Sequence, residues 1–367
     1  RRTRYDFAKG FVMVYRRQTF LLLVCIAFSS TSAFAQRLWT NPADKSLPAD
    51  FHIQGEYVGE VKGGGKLGVQ VIALGKGAFQ AVVYQGGLPG AGWDGEAKHL
   101  MDGKLEGEIA KFQPTTGKRK YLAGPPQEFS AITSFSESDN AAYTAEAGDG
   151  KLTGKTPDGK TFELKRTTRA ADTLGKKPPE GAVVLFDGTE ASMANWQGGR
   201  FDEATKLLNT DGKDIKTKQE FSNYTMHVEF LLPYKPGARG QGRGNSGFYQ
   251  VDHYEVQILD SFGLEGKNNE CGGVYSKKDS DVNACLPPLQ WQTYDVEFTN
   301  AVANESGKKT QSAKMTVKLN GIVIHDNYEI PGKTGGSRNA PEGTPGPIKL
   351  QGHGNPLQFR NVWIVEK

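Results

Sequence analysis

The chain has 367 residues, 46 of them glycine, and a formal net charge of +4 at pH 7. This length favours two domains over one, and the glycine content of about one residue in eight exceeds the usual ~7 %. Frequent Asp-Gly and Asn-Gly pairs indicate many tight turns. The composition therefore predicts an all-β protein and excludes one built from long amphipathic helices.

Residues 1–35 have the three-part layout of a secretory signal peptide. Arg16 and Arg17 precede an apolar run over 20–28, and the small-x-small motif that ends at Ala35 offers a cleavage site. The apolar run is too short to predict a membrane span, although a retained anchor is the alternative. We expect cleavage near Ala35, export to the periplasm or the extracellular space, and no stable insertion into a membrane.

Removal of this segment changes the charge. Residues 1–35 contain six of the 45 Lys and Arg residues and one of the 41 Asp and Glu residues, which leaves 39 basic and 40 acidic residues. A net charge of about −1 gives no basic footprint for nucleic acid, so no nucleic-acid partner is expected.

Two cysteines remain after the segment is removed, Cys271 and Cys285. In an exported protein they predict a disulfide, which would close a loop of about 15 residues. A zinc site is the less favoured alternative, because no Cys-x-x-Cys motif or nearby pair of histidines accompanies them.

Residues 50–169 predict a small antiparallel barrel or sandwich of unknown role. Asp149-Gly150 and Asp158-Gly159 read as hairpin turns between short alternating strands. Trp93, in a glycine-rich loop, could stack on a sugar ring or belong to the core.

Residues 170–180 predict a linker, because a Pro-Pro pair forbids both a helix and a central strand. Many short strands follow over 181–367 with no helical partner, and Asn320-Gly321 reads as a two-residue hairpin. This pattern predicts a sandwich or jelly roll. The glycine- and arginine-rich segment 235–244 is either a lid over a site or a solvated loop.

One predicted strand, 253–259, has a polar face that contains chemically capable groups. His253, Glu255 and Gln257 alternate with apolar residues, so they share one side of the strand. The plain interpretation is an antiparallel strand whose polar side faces solvent. The alternative is a strand that is half core and half site.

A second strand near the C-terminus, within 347–354, has the same character. Lys349, Gln351 and His353 alternate with apolar or small residues, and glycines flank the histidine. Small neighbours leave an imidazole open to a ligand, although glycine also marks the following turn. This repetition favours a site.

Several short motifs in the C-terminal half resemble the 3-keto-disaccharide hydrolase domain family of secreted bacterial proteins. The matching pieces are Val184–Gly188, Asn245–Gly247, Tyr254–Asp260, Trp291–Tyr294, Leu319–Gly321, Gly346–Ile348, Leu350–Asn355 and Phe359–Ile364. They occur in the family's order and cover about half of the chain. The resemblance implies a concanavalin-like jelly roll over residues 181–367 and a carbohydrate substrate.

The implied substrate is a sugar with a ketone at C3, which acidifies the C2 hydrogen. Cleavage by elimination and hydration needs a base, a group that holds the enolate oxygen, and an acid for the leaving oxygen. Glu255 and His353 are the leading catalytic pair. The candidate substrate-binding residues are Asn245, His253, Gln257, Lys349, Gln351, Arg360 and Trp291.

Three alternatives stay open at this point. A divalent metal bound by Glu255, His253 or His353 could serve as the electrophile. The domain could bind a glycan without cutting it, since fold does not establish function. Hydrolysis by a carboxylate pair is the third, although His253 and Gln257 stand where a second carboxylate would be expected beside Glu255.

Overall fold

The structure is a computed structural model that describes residues 37–367, all within one compact unit. The predicted signal peptide, residues 1–35, lies outside the described residues. No helix within 37–367 combines the length and apolarity that a membrane span requires.

The described residues are almost entirely in strands and loops. The short helices are one α-helix, Ala49–Ile53, and two 3-10 helices, Glu190–Asn195 and Gly240–Gly242. The first ten strands are β1 (Gly55–Val61), β2 (Lys66–Gly75), β3 (Ala78–Gln85), β4 (Lys98–Glu106), β5 (Ile109–Pro114), β6 (Lys120–Tyr121), β7 (Phe129–Ser130), β8 (Thr144–Gly148), β9 (Lys151–Lys155) and β10 (Thr161–Thr167). The others are β11 (Val183–Phe186), β12 (Trp196–Gln197), β13 (Arg200–Asp202), β14 (Leu207–Asn209), β15 (Ile215–Thr217), β16 (Tyr224–Leu231), β17 (Asn245–Gln250), β18 (Tyr254–Leu259), β19 (Trp291–Thr299), β20 (Val302–Ala303), β21 (Lys309–Gln311), β22 (Ala313–Leu319), β23 (Ile322–Ile330), β24 (Lys349–Leu350) and β25 (Gln358–Glu366).

The N-terminal strands close into a barrel in the order β1-β10-β9-β8-β5-β4-β3-β2. Closure leaves no exposed sheet edge. The two hairpins predicted at Asp149-Gly150 and Asp158-Gly159 are confirmed, because they join β8 to β9 and β9 to β10. Asp149 and Gly150 have positive φ angles of 46° and 68°, as this tight turn requires.

The C-terminal strands form the two facing sheets of a jelly-roll sandwich, which confirms the predicted fold class. The larger sheet has the order β13-β14-β25-β16-β19-β22-β23, with β11 also paired to β25, and the smaller has the order β12-β15-β24-β17-β18. Apolar residues of both sheets fill the space between them, among them Phe230, Phe248, Val256 and Leu350. Each strand therefore turns alternate residues away from the core.

The barrel and the sandwich also pack against each other. Side chains on the outer face of β2–β4 form a buried cluster with Phe262 and Leu264 of the sandwich. Strand β2 is consequently buried on both faces over most of its length. The division into domains at 170–180 stays a prediction.

Residues 170–180 pack on the outer face of the larger sheet. The Gly175 amide donates to the Glu229 carboxylate at 2.6 Å, and the Thr173 hydroxyl donates to Asp295 at 2.7 Å. Both acceptors belong to strands of this sheet, so the segment is attached along the sheet by polar contacts.

Cys271 and Cys285 are free thiols in the structure, and both are buried between the two sheets. The Cys271 Sγ lies 3.4 Å from the Tyr294 hydroxyl. The structure thus places the two cysteines in one core cluster without forming the predicted bond.

Candidate active site

The candidate site lies on the outer face of the smaller sheet, where β24, β17 and β18 run side by side. Antiparallel pairing sets Lys349 opposite Tyr249, and Tyr249 opposite Glu255. In the neighbouring row Gly247 is opposite Gln257, and the backbone amide of Gln351 donates to the Gly247 carbonyl at 2.8 Å. The two polar strand faces found in the sequence therefore meet on one surface, separated only by β17.

Glycine at position 247 is required by the side chains that cross it. A Cβ at Gly247 would lie 2.2 Å from the Glu255 Oε1 and 2.8 Å from the Tyr249 ring. Real Cβ atoms essentially never approach this closely, so a Cβ here would force the Glu255 and Tyr249 side chains to move. The missing side chain therefore makes the space in which the Glu255 carboxyl lies.

Glu255 is the carboxyl group of this surface, and the residue is only 2 % exposed. Burial raises the pKa of its carboxyl from 4.5 to about 7, although the Tyr249 hydrogen bond and the Lys349 ammonium oppose the rise. A group with this pKa exchanges protons efficiently at neutral pH.

Tyr249 links the carboxyl to the loop that covers it. Its hydroxyl lies 2.7 Å from the Glu255 Oε2 and 2.8 Å from the Gly335 carbonyl oxygen. The single hydroxyl hydrogen can go to the ionised carboxylate, or to Gly335 when Glu255 is itself protonated. Burial and the adjacent carboxylate raise the pKa of Tyr249 far above its usual range, so Tyr249 acts as a donor.

A row of side-chain amides continues the surface beyond Glu255. The Gln257 Nε2 donates to the Asn245 Oδ1 at 3.0 Å, and the Asn245 Nδ2 donates to the Gln241 side-chain oxygen at 3.0 Å. The Gln257 Oε1 is buried and has no hydrogen-bond partner. It is a ready acceptor for a hydroxyl group of a ligand.

These groups surround a pocket of about 230 Å³. Its lining comprises Gln241, Asn245, Tyr249, Glu255, Gln257, Tyr275, Gly335, Gly336, Gln351 and His353. Of the lining residues in the described part of the chain, Glu255 alone carries a carboxylate. His353 is exposed at the rim, so the structure brings the two leading catalytic candidates to one pocket.

A second cavity, of about 450 Å³, lies between the barrel and the sandwich and includes Trp93. The Trp93 ring meets the edge of Tyr84 at 5.3 Å, and the Lys98 ammonium lies 5.1 Å from its centroid. With these groups packed around the ring, the core interpretation of Trp93 fits better than a sugar platform. We assign the candidate site to the smaller pocket because it combines a buried carboxyl, Glu255, with an acceptor that has no hydrogen-bond partner, the Gln257 Oε1.

The structure places His253 outside this pocket. His253 belongs to a turn before β18, in which Val251 and Asp252 have positive φ angles of 46° and 53°. The turn breaks the alternation that would have put His253 beside Glu255. Burial lowers the pKa of His253 to about 4, and the nearby Arg338 acts in the same direction.

Arg360 and Trp291 lie on the opposite side of the sandwich. Both belong to the larger sheet, where the Arg360 guanidinium is 4.0 Å from the Trp291 ring centroid and donates to Glu229 at 2.6 Å. They do not line the pocket, because they were candidates by residue type, and residue type does not determine the sheet to which a strand belongs.

Lys349 lies on the expected face of the sheet, but its ammonium group contacts other protein groups and does not line the pocket. Its ammonium lies 3.7 Å from the Tyr249 ring centroid, 2.7 Å from Asp252 and 2.5 Å from the Gly336 carbonyl. These contacts hold Lys349 beneath the Tyr249 ring, next to the pocket rather than in it.

The three residues considered as metal ligands do not form one site. Glu255 and His353 line the same pocket, whereas His253 is in the turn described above. Within residues 37–367 no group of three or more His, Cys, Asp and Glu side chains could hold a metal ion. The donor set of the pocket does not fit the proposed metal.

Sequence reasoning missed the covering residues of the site, namely Gln241, Tyr275, Gly335 and Gly336, and Tyr249 was not among the candidate site residues. Tyr249 could have been found, because Asn245, Gly247 and Tyr249 share one face of β17. The loop residues carry no such signal, since their approach to the sheet depends on tertiary contacts.

The fold and the site together define a jelly-roll domain of the carbohydrate-active type. Residues 181–365 match the model of the 3-keto-alpha-glucoside-1,2-lyase-like domain family. The chain belongs to this family, and residues 181–365 are a carbohydrate-active domain of hydrolase type.

Comparison with curated proteins gives no match. Among solved structures, the chain is similar to proteins from Parabacteroides distasonis ATCC 8503 that are provisionally assigned as glycosyl hydrolases. One is 30% identical, with 54% of this chain and 90% of that chain covered and a TM-score of 0.48. Another is 19% identical, with 51% and 94% covered and a TM-score of 0.38.

Proposed function

We propose that the domain over residues 181–367 cleaves glycosides that carry a ketone at C3, with Glu255 as the base that removes the C2 proton. One observation carries the proposal: a single buried carboxyl with a pKa of about 7 faces a pocket comparable in size with one sugar ring. The family's description, a lyase of 3-keto-glucosides, supports the substrate class.

The reaction requires one base and no paired carboxylate. Glu255 takes the C2 proton, and the electron pair moves onto the C3 oxygen as an enolate. Collapse of the enolate forms a C1–C2 double bond and expels the oxygen on C1, which leaves as an alcohol once protonated. Water then adds its hydroxyl to C1 and a proton to C2, which completes net hydrolysis.

The remaining lining residues supply the other functions. Once Glu255 has taken the proton, the Tyr249 hydroxyl no longer needs to donate to a carboxylate, so its single hydrogen can go to the oxygen that becomes negative. The free Gln257 Oε1 accepts from a sugar hydroxyl, and Asn245 and Gln351 orient the ring. His353, at the exposed rim, donates a proton to the leaving oxygen.

The test compares two substrates that differ only at C3, 4-nitrophenyl 3-keto-glucoside and its parent glucoside. We expect 4-nitrophenol release from the keto sugar alone, because the C2 hydrogen of the parent is not acidic. Equal release from both would contradict elimination and favour ordinary hydrolysis. Binding without release from either would favour a non-catalytic glycan-binding module.

The function of His353 is tested by changing the leaving group. Since 4-nitrophenolate departs without help, His353→Ala should hardly slow its release. With methyl 3-keto-glucoside the same variant should lose about 10²–10⁴-fold in turnover, as expected for a missing general acid. An equal loss with both substrates would contradict a proton-donating function for His353.

A further inference from the structure

The barrel reaches the pocket through residues 235–244, here called the arginine loop. Arg239 donates to the Leu74 carbonyl of β2 at 2.9 Å, and its guanidinium lies 5.4 Å from the Phe129 ring. Both partners belong to the N-terminal part of the chain. The arginine loop, although part of the sandwich, is therefore fastened to the outer wall of the barrel.

A second arginine fastens the end of the same loop. Arg243 is 4 % exposed and donates through its Nε to the Asp260 carboxylate at 2.7 Å. Its Nη1 lies 3.5 Å from the Ala73 carbonyl of β2. Arg243 thus ties the start of β17 both to the end of β18 and to the barrel.

Between these two anchors the loop carries Gln241 into the pocket. The backbone and side-chain oxygens of Gln241 each accept from the Asn245 Nδ2 at 3.0 Å, and the Gln241 Nε2 donates to the Asn269 carbonyl at 2.7 Å. The Gln257 Nε2 lies 3.5 Å from the Gln241 Oε1. The position of Gln241 therefore sets the row of amides beside Glu255.

The barrel side also braces the loop that receives Gln241. The Tyr121 hydroxyl donates to the Glu270 Oε1. The other carboxylate oxygen of Glu270 accepts from the Gly266 and Lys267 amides at 2.7 and 3.0 Å. Glu270 thus fixes the turn that contains Asn269, the acceptor of the Gln241 amide.

We infer that the N-terminal barrel is a positioning unit for the sugar pocket, and that Arg239 and Tyr121 are positioning residues that act through Gln241. This inference rests on the proposed function for its substrate, but its physical content is the placement of a ligand-binding amide. It predicts that breaking the contacts weakens sugar binding, while proton transfer at Glu255 continues.

The central test is Arg239→Ala in the full chain, with the affinity for the unreactive parent glucoside measured by calorimetry. We expect about a tenfold rise in Kd and in KM, because the loop that places Gln241 loses a hydrogen bond from a charged donor. The kcat should stay within about twofold. Faster hydrogen exchange over residues 235–245 should accompany the change.

Three variants separate positioning from a general loss of stability. Arg239→Lys keeps one donor for the Leu74 carbonyl and should restore most of the affinity. Arg166→Ala is the matched control, because Arg166 donates to a barrel carbonyl, that of Gln54, at 2.6 Å without touching the arginine loop. It should leave the Kd unchanged. In a Gln241→Ala background, Arg239→Ala should add no further loss.

Tyr121→Phe tests the same inference if the Arg239→Ala variant fails to fold, because this substitution removes only a hydroxyl group. It should raise the Kd by about threefold. Unchanged exchange over 235–245 in Arg239→Ala would overturn the inference, as would an unchanged Kd despite faster exchange. If the wild type binds the parent glucoside but never cleaves the keto sugar, the proposed function fails while the Kd series still decides the inference. A wild type that binds neither sugar would overturn both.

Discussion

Each outer face of the sandwich buries a glutamate, and the pKa values of the two carboxyls are shifted in opposite directions. Glu255, on the smaller sheet, is 2 % exposed, and Glu229, on the larger sheet, is 0 % exposed. Burial raises the pKa of Glu255 to about 7. Burial acts in the same direction on Glu229, but its hydrogen bonds outweigh it and lower the pKa to about 2.

The difference lies in the partners. Glu229 lies 3.4 Å from the His227 Nε2, and it accepts from the Gly175 amide at 2.6 Å, from Asn361 at 2.8 Å and from the Arg360 guanidinium at 2.6 Å. Glu255 has one neutral hydroxyl donor, and its nearest ammonium is held under the Tyr249 ring. A buried carboxylate with many donors holds the fold together, and one with few donors remains free for proton transfer.

The two glutamates should also act oppositely on stability as the pH changes. The folded pKa of Glu229 lies below its ordinary 4.5, so its stabilisation is full above about pH 4.5 and is lost as the pH falls through about 2. The folded pKa of Glu255 lies above 4.5. Its contribution is full below about pH 4.5 and is lost as the pH rises through about 7.

The largest expected effects come from exchanging each carboxylate for an amide. Glu255→Gln should lower turnover of the keto sugar by about 10²–10⁴-fold, because the base is lost. Above about pH 7 the same variant should be more stable in urea by on the order of 1–3 kcal/mol, because no charge is buried.

Glu229→Gln is the matched control, and we expect it to lower stability while leaving turnover nearly unchanged, the reverse of Glu255→Gln. Turnover should stay within a few-fold, whereas the free energy of unfolding should fall by on the order of 2 kcal/mol, since the Arg360 guanidinium loses its charged partner. A Glu229→Gln variant that loses activity but not stability would contradict the division between the two faces.

Alternation along the strands was enough to predict the polar face that carries Glu255, Gln257 and Gln351. It also placed Lys349 on that face. It could not predict the position of the Lys349 ammonium group, which lies beneath the Tyr249 ring. Arg360 was a candidate because of its residue type alone, and it lies on the other sheet. Strand parity is a local property, while sheet membership depends on pairings between residues far apart in sequence.

Loops limited the prediction of the remaining site. The closest approach of 335–336 to the sheet is set by Gly336, whose positive φ of 70° and missing side chain leave room for the Tyr249 hydroxyl, 2.7 Å from where a Cβ would be. The fold class was accessible from turns and alternation, and Asn320-Gly321 does join β22 to β23. That Gln241 would reach the pocket could not be predicted, because its position depends on barrel contacts.

A smaller effect, on stability alone, is expected from Cys271 and Cys285, which lie in the core between the two sheets. Burial raises the pKa of Cys285, so this thiol is protonated and slow to react while the fold is closed. If the protein is exported and oxidises before it folds completely, the pair becomes a disulfide that contributes ~3 kcal/mol. Thiol labelling of the unfolded, non-reduced protein should then find neither cysteine.

The control for this prediction is Cys285→Ser, which should leave one labelled thiol and abolish the dependence of the melting temperature on reductant. Turnover should be the same in both proteins, because neither sulfur lines the pocket. Two labelled thiols in the wild type would contradict the bond.

The smallest expected effect, and the sharpest test of the comparison, is a shift of the pH profile in Tyr249→Phe. The Tyr249 hydrogen bond lowers the pKa of Glu255, so its loss must move that pKa further above about 7. Because the base is the ionised form, the rise of kcat/KM with pH should move to higher pH. We expect a shift of about one pH unit, and about a tenfold loss of rate at neutral pH, from one lost hydrogen bond.

Tyr57→Phe is the matched control, since it removes a buried hydroxyl bonded to the Ile53 carbonyl at 2.6 Å in the barrel. Its profile should coincide with that of the wild type. Loss of the donor to the enolate oxygen lowers the whole profile as well, so the position on the pH axis is the diagnostic. A Tyr249→Phe profile that does not move along that axis would mean that Glu255 is not the titrating base.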